Sequence, residues 1–188
     1  MTTLDGFFEG PDHDISWHHV DGEFGLFAEK QMREADTILF GRRTYQLMEE
    51  FWPSQAGLSD DPVVAELMNT TPKIVVSKTL KNVTETKHWK QVTLLHKVDA
   101  EYFHNLKKQP GKAIIVLASS NLCLSLLKLG LLDEVRVMIN PVVIGRGTPL
   151  FAGSKHKISL TLEKSRTFGN GNILLYYKPD KHISAKNK

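Results

Sequence analysis

The chain has one cysteine in 188 residues, so it can form no intrachain disulfide and no metal site built from several thiolates. Cys123 lies in an apolar helical run, where a free thiol packs as a small hydrophobe. No apolar stretch approaches the ~18 residues that span a bilayer, and no basic-then-apolar leader opens the sequence, so the expected compartment is the cytoplasm. Neither sign of charge dominates: 24 Lys and Arg face 21 Asp and Glu, a net +3. That excess is too small to point to nucleic acid or a membrane surface. Several of the lysines fall near the end, and residues 179–188 read as a flexible basic tail.

Familiar nucleotide and hydrolase signatures are missing as well. There is no G-x-x-x-x-G-K-[ST], no G-x-G-x-x-G and no G-x-S-x-G; Gly145-Arg146-Gly147 and Gly169-Asn170-Gly171 are bare two-glycine turns. His13, Asp14, His18 and His19 crowd together near the start, but adjacent histidines diverge and no helical spacing supplies a second pair. They read as polar loop residues, and no metal is expected. His88, His96 and His104 recur every eight residues in different elements, which reads as chance. Ser119-Ser120 has no partnering base in the sequence and reads as a helix cap.

What is present is most informative at Leu39-Phe40-Gly41-Arg42-Arg43-Thr44-Tyr45. An apolar run from Thr37 stops at a glycine and a helix-compatible segment follows, which predicts a strand, a tight turn and a helix start. Unpaired N–H groups at a helix N-terminus attract anions, and two guanidiniums and a hydroxyl strengthen the attraction. A phosphate suits such a turn.

The rest of the chain predicts alternating elements. The first twenty residues are loop-like. A helix covers Glu23 to Met32, a strand 37–41, and a helix 42–51 ended by Trp52-Pro53. Residues 53–62 form a surface connection. A short helix runs from Val63 to Met68, a buried strand over 73–77, a loop over 84–88 and a strand over 92–95. A helix from Ala100 to Lys108 stops at Pro110-Gly111. Ala113 to Leu117, the most continuous β-branched run, is placed centrally in a parallel sheet. A helix from about Asn121 to Leu129 ends at a C-cap glycine, Gly130. From Glu134 to Ile144 and from Ile158 to Tyr177 the pattern is strands only. One domain is expected over 1–178, an α/β fold with a mixed, mostly parallel sheet, helices on both faces and a C-terminal antiparallel hairpin.

Taken in order, several segments resemble the dihydrofolate-reductase-like family, in the branch that shares the reductase domain of bacterial riboflavin biosynthesis. They are Thr3-Leu-Asp-Gly-Phe7, Trp17 with Val20-Asp21 and Glu23-Phe24, and Phe40-Gly-Arg-Arg-Thr-Tyr45. Pro72-Lys-Ile-Val-Val-Ser-Lys-Thr-Leu80, Val116-Leu-Ala-Ser-Ser120, Gly130-Leu-Leu-Asp-Glu134 and Asn140 to Phe151 follow. The resemblance covers Thr3 to Tyr177. It implies a reductase that binds NADPH and passes hydride to a heterocycle or sugar-linked intermediate, by analogy 5-amino-6-(5-phosphoribosylamino)uracil or a relative, and a homodimer formed through the C-terminal strands, where Val135, Val137 and Ile139 alternate with other residues.

Strand ends at Gly41, Ser77 and Leu117 suit that implication, because ligands of α/β sheets sit at carboxyl strand ends. Gly41, Arg42, Arg43 and Thr44 would take phosphates at the first. Ser77, Lys78 and Thr79 would meet a 2′-phosphate at the second. Ala118, Ser119, Ser120, Asn121 and Leu122 would bring N–H groups to the pyrophosphate at the third. Asp5, Trp17 and Glu23 are the candidates for the catalytic, substrate-facing side.

The chain departs from the family in three ways. Relatives generally carry a strand ahead of the Leu-Asp-Gly element, and here that strand is missing or truncated. The third turn opens with Ala118 where glycine is usual. A carboxylate on the first helix helps protonate the pterin in dihydrofolate reductases, and here Asp21 and Glu23 lie nearby. The first two departures favour an alternative, a non-catalytic nucleotide-binding or oligomerising protein that retains the fold. A flavin enzyme is disfavoured, since nothing is specific to an isoalloxazine. The fused deaminase often carried by full pathway enzymes needs Cys and His zinc ligands, which these residues do not supply.

Overall fold

The structure, a computed structural model, describes residues 1–83, 85–154 and 157–180. Residues 181–188 of the expected tail and Thr84 of the expected 84–88 loop lie outside the described residues. Along the chain come β1 (Thr2–Thr3), β2 (Phe7–Glu9), α1 (Gly22–Arg33), β3 (Ala35–Gly41), α2 (Arg42–Phe51), α3 (Gln55–Asp60), α4 (Pro62–Thr70), β4 (Lys73–Val76) and β5 (Val92–Leu95). Then follow α5 (Ala100–Lys107), β6 (Ala113–Val116), α6 (Ser120–Lys128), β7 (Val135–Asn140), β8 (Thr148–Pro149), β9 (Leu160–Thr167) and β10 (Ile173–Pro179). The α/β class, the mostly parallel pairing and the C-terminal hairpin are as expected. By contacts the chain forms two compact units, Met1–Glu23 with Cys123–Lys188, and Phe24–Leu122. Both boundaries fall inside helices, so neither coincides with a linker.

The unit of residues 24–122 holds a fully parallel four-stranded sheet in the order β5-β4-β3-β6. Its core joins Met32, Ile38, Phe40, Tyr45, Val64, Met68, Val75 and Trp89. β3 and β4 take the central places and β6 an outer one, so the central position expected for Ala113–Leu117 is corrected. A β-branched run reports strand propensity, which is compatible with either position. The surface connection expected over 53–62 instead contains α3. Its first turn is closed by the Ser54 hydroxyl, which accepts the Gly57 N–H at 3.2 Å, an N-cap inside a stretch whose Gly and Ser content hides the helix.

The other unit holds a mixed sheet, β1-β7-β10-β9, and a ribbon of β2 with β8. β1 runs parallel to β7, with Thr2 opposite Ile139 and Thr3 opposite Asn140, and both threonines are buried. A two-residue strand thus precedes Leu4-Asp5-Gly6, and the loop expected over the first twenty residues is corrected by β1 and β2. Strands this short leave no alternation to read. Gly130, with φ +65, ends α6 as expected. Its N–H reaches Leu127 O at 3.0 Å and the Leu131 N–H reaches Leu126 O at 3.0 Å, the paired bonds of a Schellman cap. The segment before α1 is gripped at one peptide. The His19 N–H donates to Asn140 Oδ1 at 2.8 Å, and the His19 carbonyl accepts from Asn172 Nδ2 at 2.7 Å and Asn170 Nδ2 at 3.2 Å.

Lys73 opens β4 and is 1% exposed, an unusual place for an ammonium. Its Nζ donates to the carbonyls of Asn69 at 3.0 Å, Thr71 at 2.7 Å and Lys90 at 3.3 Å, and lies 4.4 Å from the Trp89 ring centre. The cation thus caps the end of α4 and ties it to the approach to β5. Burial lowers its pKa from 10.5 to about 8, partly offset by Glu85. Between those values the unfolded chain keeps a proton that the folded chain has released, so the stability contributed here rises with pH across that window. Lys73→Met should cost about 2 kcal/mol at neutral pH by stranding the carbonyls. In urea denaturation the wild type should gain on this variant above about pH 8, by at most about 1.4 kcal/mol per pH unit; a gap that stays constant or narrows would contradict the buried cation.

Candidate functional site

Parallel pairing aligns the strand ends. Gly41 lies opposite Val76, Leu39 opposite Val116, and Val76 opposite Leu95. The segments that leave β3, β4, β5 and β6 therefore emerge along one carboxyl margin of the sheet, where α/β proteins bind ligands. All twelve residues expected to bind the cofactor belong to the unit that carries this margin.

At the first turn, Gly41 is the N-cap of α2 in an extended conformation, φ −81 and ψ 161, and no side chain of its own can cap. Arg42 and Arg43 are exposed. The Arg42 Nη1 donates to Gln46 Oε1 at 3.2 Å, one helical turn on. Thr44 is buried at 8% and its Oγ1 lies 2.9 Å from Ser119 Oγ, so its hydroxyl engages the third turn.

The second turn is organised by Ser77, which is 6% exposed. Its Oγ accepts from Thr79 N at 3.2 Å and Leu80 N at 2.9 Å, which fixes the bend. Its hydroxyl proton is still there to donate. Lys78 and Thr79 are exposed, and Lys78 forms no ion pair among the described residues. Beside them the end of β5 brings His96 and Lys97, both exposed, with His96 Nδ1 3.2 Å from the Ser77 carbonyl. Sequence reasoning overlooked these two. The available signal was the strand end at Leu95, equivalent to the other three. The nearby Asp99 carboxylate is committed to the N-terminus of α5, accepting from Glu101 N at 3.0 Å and Tyr102 N at 3.1 Å. The margin around β4 and β5 is accordingly cationic.

At the third turn, Ala118 and Ser119 both have left-handed backbones, φ 52 and φ 61. Neither is glycine, so each conformation is strained. The Ser119 Oγ accepts the Gly41 N–H at 2.9 Å. Ser119 therefore serves the N-terminus of α2, a role beyond the simple cap expected of Ser119-Ser120. Ser120 opens α6, Asn121 is exposed, and Leu122 is buried at 7%.

Asp5, Trp17 and Glu23 lie in the other unit, each in a separate network. Asp5 accepts from Gly145 N at 2.8 Å and Ile144 N at 3.4 Å. Its pKa is lowered, first by the Thr3 hydroxyl and further by these amides, against an opposing desolvation. Trp17 is 9% exposed; its indole N–H donates to Asp14 O at 3.2 Å and its ring meets His18 edge-on at 4.4 Å. Burial lowers His18 to about 4, so this imidazole is neutral near pH 7. Glu23 accepts from Gly169 N at 2.8 Å and from Arg166 Nη2 at 2.7 Å; that amide and then the guanidinium lower its pKa. Cys123 is raised to about 11 by burial, which leaves it a protonated, packed thiol. Among the described residues, no group of three or more His, Cys, Asp or Glu is placed to hold a metal, and no helix is long and apolar enough to cross a membrane.

The RibD C-terminal domain family matches residues 1–174. The uncharacterized protein YyaP of Bacillus subtilis (strain 168) is 32% identical over 175 residues, which are 93% of this chain and 89% of that protein. The fold is similar to that of a putative riboflavin biosynthesis protein from Shewanella sp. PV-4, with TM-score 0.70, 21% identity and 96% of each chain covered. It is also similar to a diaminohydroxyphosphoribosylaminopyrimidine deaminase/5-amino-6-(5-phosphoribosylamino)uracil reductase from Thermotoga maritima, with TM-score 0.64 and 13% identity over 95% of this chain and 54% of that one.

Two measurements follow from this geometry. Ala118→Gly removes a side chain from a left-handed backbone and should raise unfolding free energy by about 1 kcal/mol; a loss in thermal or urea unfolding would contradict the strained turn. Glu23 has a lowered pKa in the folded state, so its contribution is present above the ordinary value of 4.5 and is lost as pH falls through the folded value. The wild type should therefore lose its advantage over Glu23→Gln on acidification below pH 4.5, and parallel acid-unfolding curves would contradict the Arg166 and Gly169 contacts.

Proposed function

The chain belongs to the RibD C-terminal domain family, and from that membership we propose that it is an NADPH-dependent reductase of a small heterocyclic or ribosyl-pyrimidine substrate. The compound would be related to 5-amino-6-(5-phosphoribosylamino)uracil, for which the Thermotoga maritima reductase is named. The observation that carries this reading is the convergence of the three turns on one parallel-sheet margin. The donor set there fits a dinucleotide with phosphate at more than one position. Exposed guanidiniums flank the N-terminus of α2, Lys78 stands on a turn fixed by Ser77, and α6 starts just after Ser119.

In this reading Gly41, Arg42, Arg43 and Thr44 hold phosphate at the first turn. Ser77, Lys78 and Thr79 meet the 2′-phosphate, and Ala118 to Leu122 present the third turn to the pyrophosphate. The bound cofactor supplies the hydride from its nicotinamide C4. Asp5, Trp17 and Glu23 serve the substrate side as positioning groups. Asp5 and Glu23, with lowered pKa values, are ionised at neutral pH and suit anchoring better than proton donation. A cytoplasmic homodimer through the C-terminal strands completes the proposal. It is supported by β9, an outer strand with every residue after Leu160 exposed.

One observation favours a second reading, a nucleotide binder without catalysis. Asp5 and Glu23, on the substrate side, are each already engaged by backbone amides, and Glu23 also by Arg166. Thermal shift with NADPH and NADH, followed by NADPH oxidation with the substrate, separates the two. At a ligand concentration ~100 times Kd, stabilisation should reach about 2.7 kcal/mol. Lys78→Ala should weaken NADPH about tenfold and leave NADH unchanged, a difference of about 1.4 kcal/mol. No shift with either nucleotide defeats both readings; binding without turnover supports the second.

A further inference from the structure

We propose that Ser119 is a positioning residue whose side chain sets the gap between the first and third turns, so that both engage one dinucleotide. The inference rests on the reading of this margin as a dinucleotide site and adds what holds the site in shape. The Ser119 Oγ is joined to the Gly41 N–H at 2.9 Å and to Thr44 Oγ1 at 2.9 Å. It lies 78 residues from one partner and 75 from the other. The bonds run from the turn after β6 to the last residue of β3 and to the first turn of α2, and β6 pairs with β3 over Ala35–Leu39 without reaching Gly41. Past the last paired residues, this hydroxyl carries the two turns onward in register.

The backbone around Ser119 is built for that role. Left-handed conformations at Ala118 and at Ser119 itself turn the chain back after Leu117. Two successive non-glycine residues hold such a conformation only when their surroundings over-determine it. The two hydroxyl bonds supply that determination. Gly41 answers on the other side. A Cβ there would stand 2.7 Å from Ser119 Oγ and 3.1 Å from Ser119 Cβ, so a side chain at the first turn would push the Ser119 hydroxyl from its place. α2 has no cap of its own at Gly41; its N-terminal alignment therefore depends on a side chain from the third turn.

Ser119→Gly isolates this function, since it removes the hydroxyl and also relieves the backbone strain. Thr44→Val, which keeps the side-chain shape and deletes one partner, is the second variant. Dissociation constants for NADPH and NADH are measured by quenching of protein fluorescence, alongside melting temperature and amide exchange at Gly41. The expected result for Ser119→Gly is a melting temperature at or above wild type, faster exchange at Gly41, and about tenfold weaker binding of both nucleotides. Thr44→Val should show a smaller loss in the same direction. Equal loss for both nucleotides separates positioning of the shared pyrophosphate from the 2′-phosphate contact of Lys78, whose variant affects NADPH alone. If either folded variant binds as the wild type does, Ser119 is a local cap and the proposal is overturned. A wild type that binds neither nucleotide overturns the dinucleotide reading, and the positioning role with it.

Discussion

The three turns of the candidate cofactor margin are brought together by the parallel pairing of β3 with β4 on one side and β6 on the other. Parallel strands need crossover connections, and each crossover leaves its strand at the same end. The polar turns at Gly41, Ser77 and Ala118 are therefore neighbours in space although 36 or more residues separate them in the chain. An antiparallel partner at either position would have sent one turn to the opposite edge. The chemistry of the turns matters only because the hydrogen-bond ladder has first put them together.

The two edges of this sheet handle positive charge differently. At the carboxyl edge, Arg42, Arg43, Lys78 and Lys97 are exposed and the polar atoms that shape the turns are neutral hydroxyls. At the amino edge, the ammonium of Lys73 is enclosed by three carbonyls and the Trp89 face. An enclosed cation with its acceptors in place is a structural fastener. Exposed cations around fixed turns keep their field available to an incoming anion.

Much of this was legible in the chain itself. Leu39 to Tyr45 shows its strand, turn and helix because an apolar run, a glycine and a helix-forming segment follow one another without a gap. Gly130 was readable as a cap because a left-handed residue after an apolar helix is commonly glycine. The wider role of Ser119 was out of reach for a physical reason. A serine before a helix satisfies the local pattern of a cap, and only the pairing of β6 with β3 shows that the amide it serves is Gly41, 78 residues earlier in the chain. β1 was hidden because its two residues pair with Ile139 and Asn140 from the far end of the sequence. His96 was read only as one of three evenly spaced histidines, because its place at the margin depends on the pairing of β5 with β4. Its neighbour, Ser77, becomes visible only once β4 and β5 are aligned.

Asn140, Asn170 and Asn172 hold the segment ahead of α1 by the peptide of His19, touching its N–H and its carbonyl rather than its imidazole. Recognition of main-chain atoms is indifferent to what the residue carries beyond Cβ. Exchanges at His19 and at exposed Val20 can therefore recolour that surface without releasing the segment from its moorings. Such a mount lets one scaffold carry different side chains on this surface as a lineage diverges.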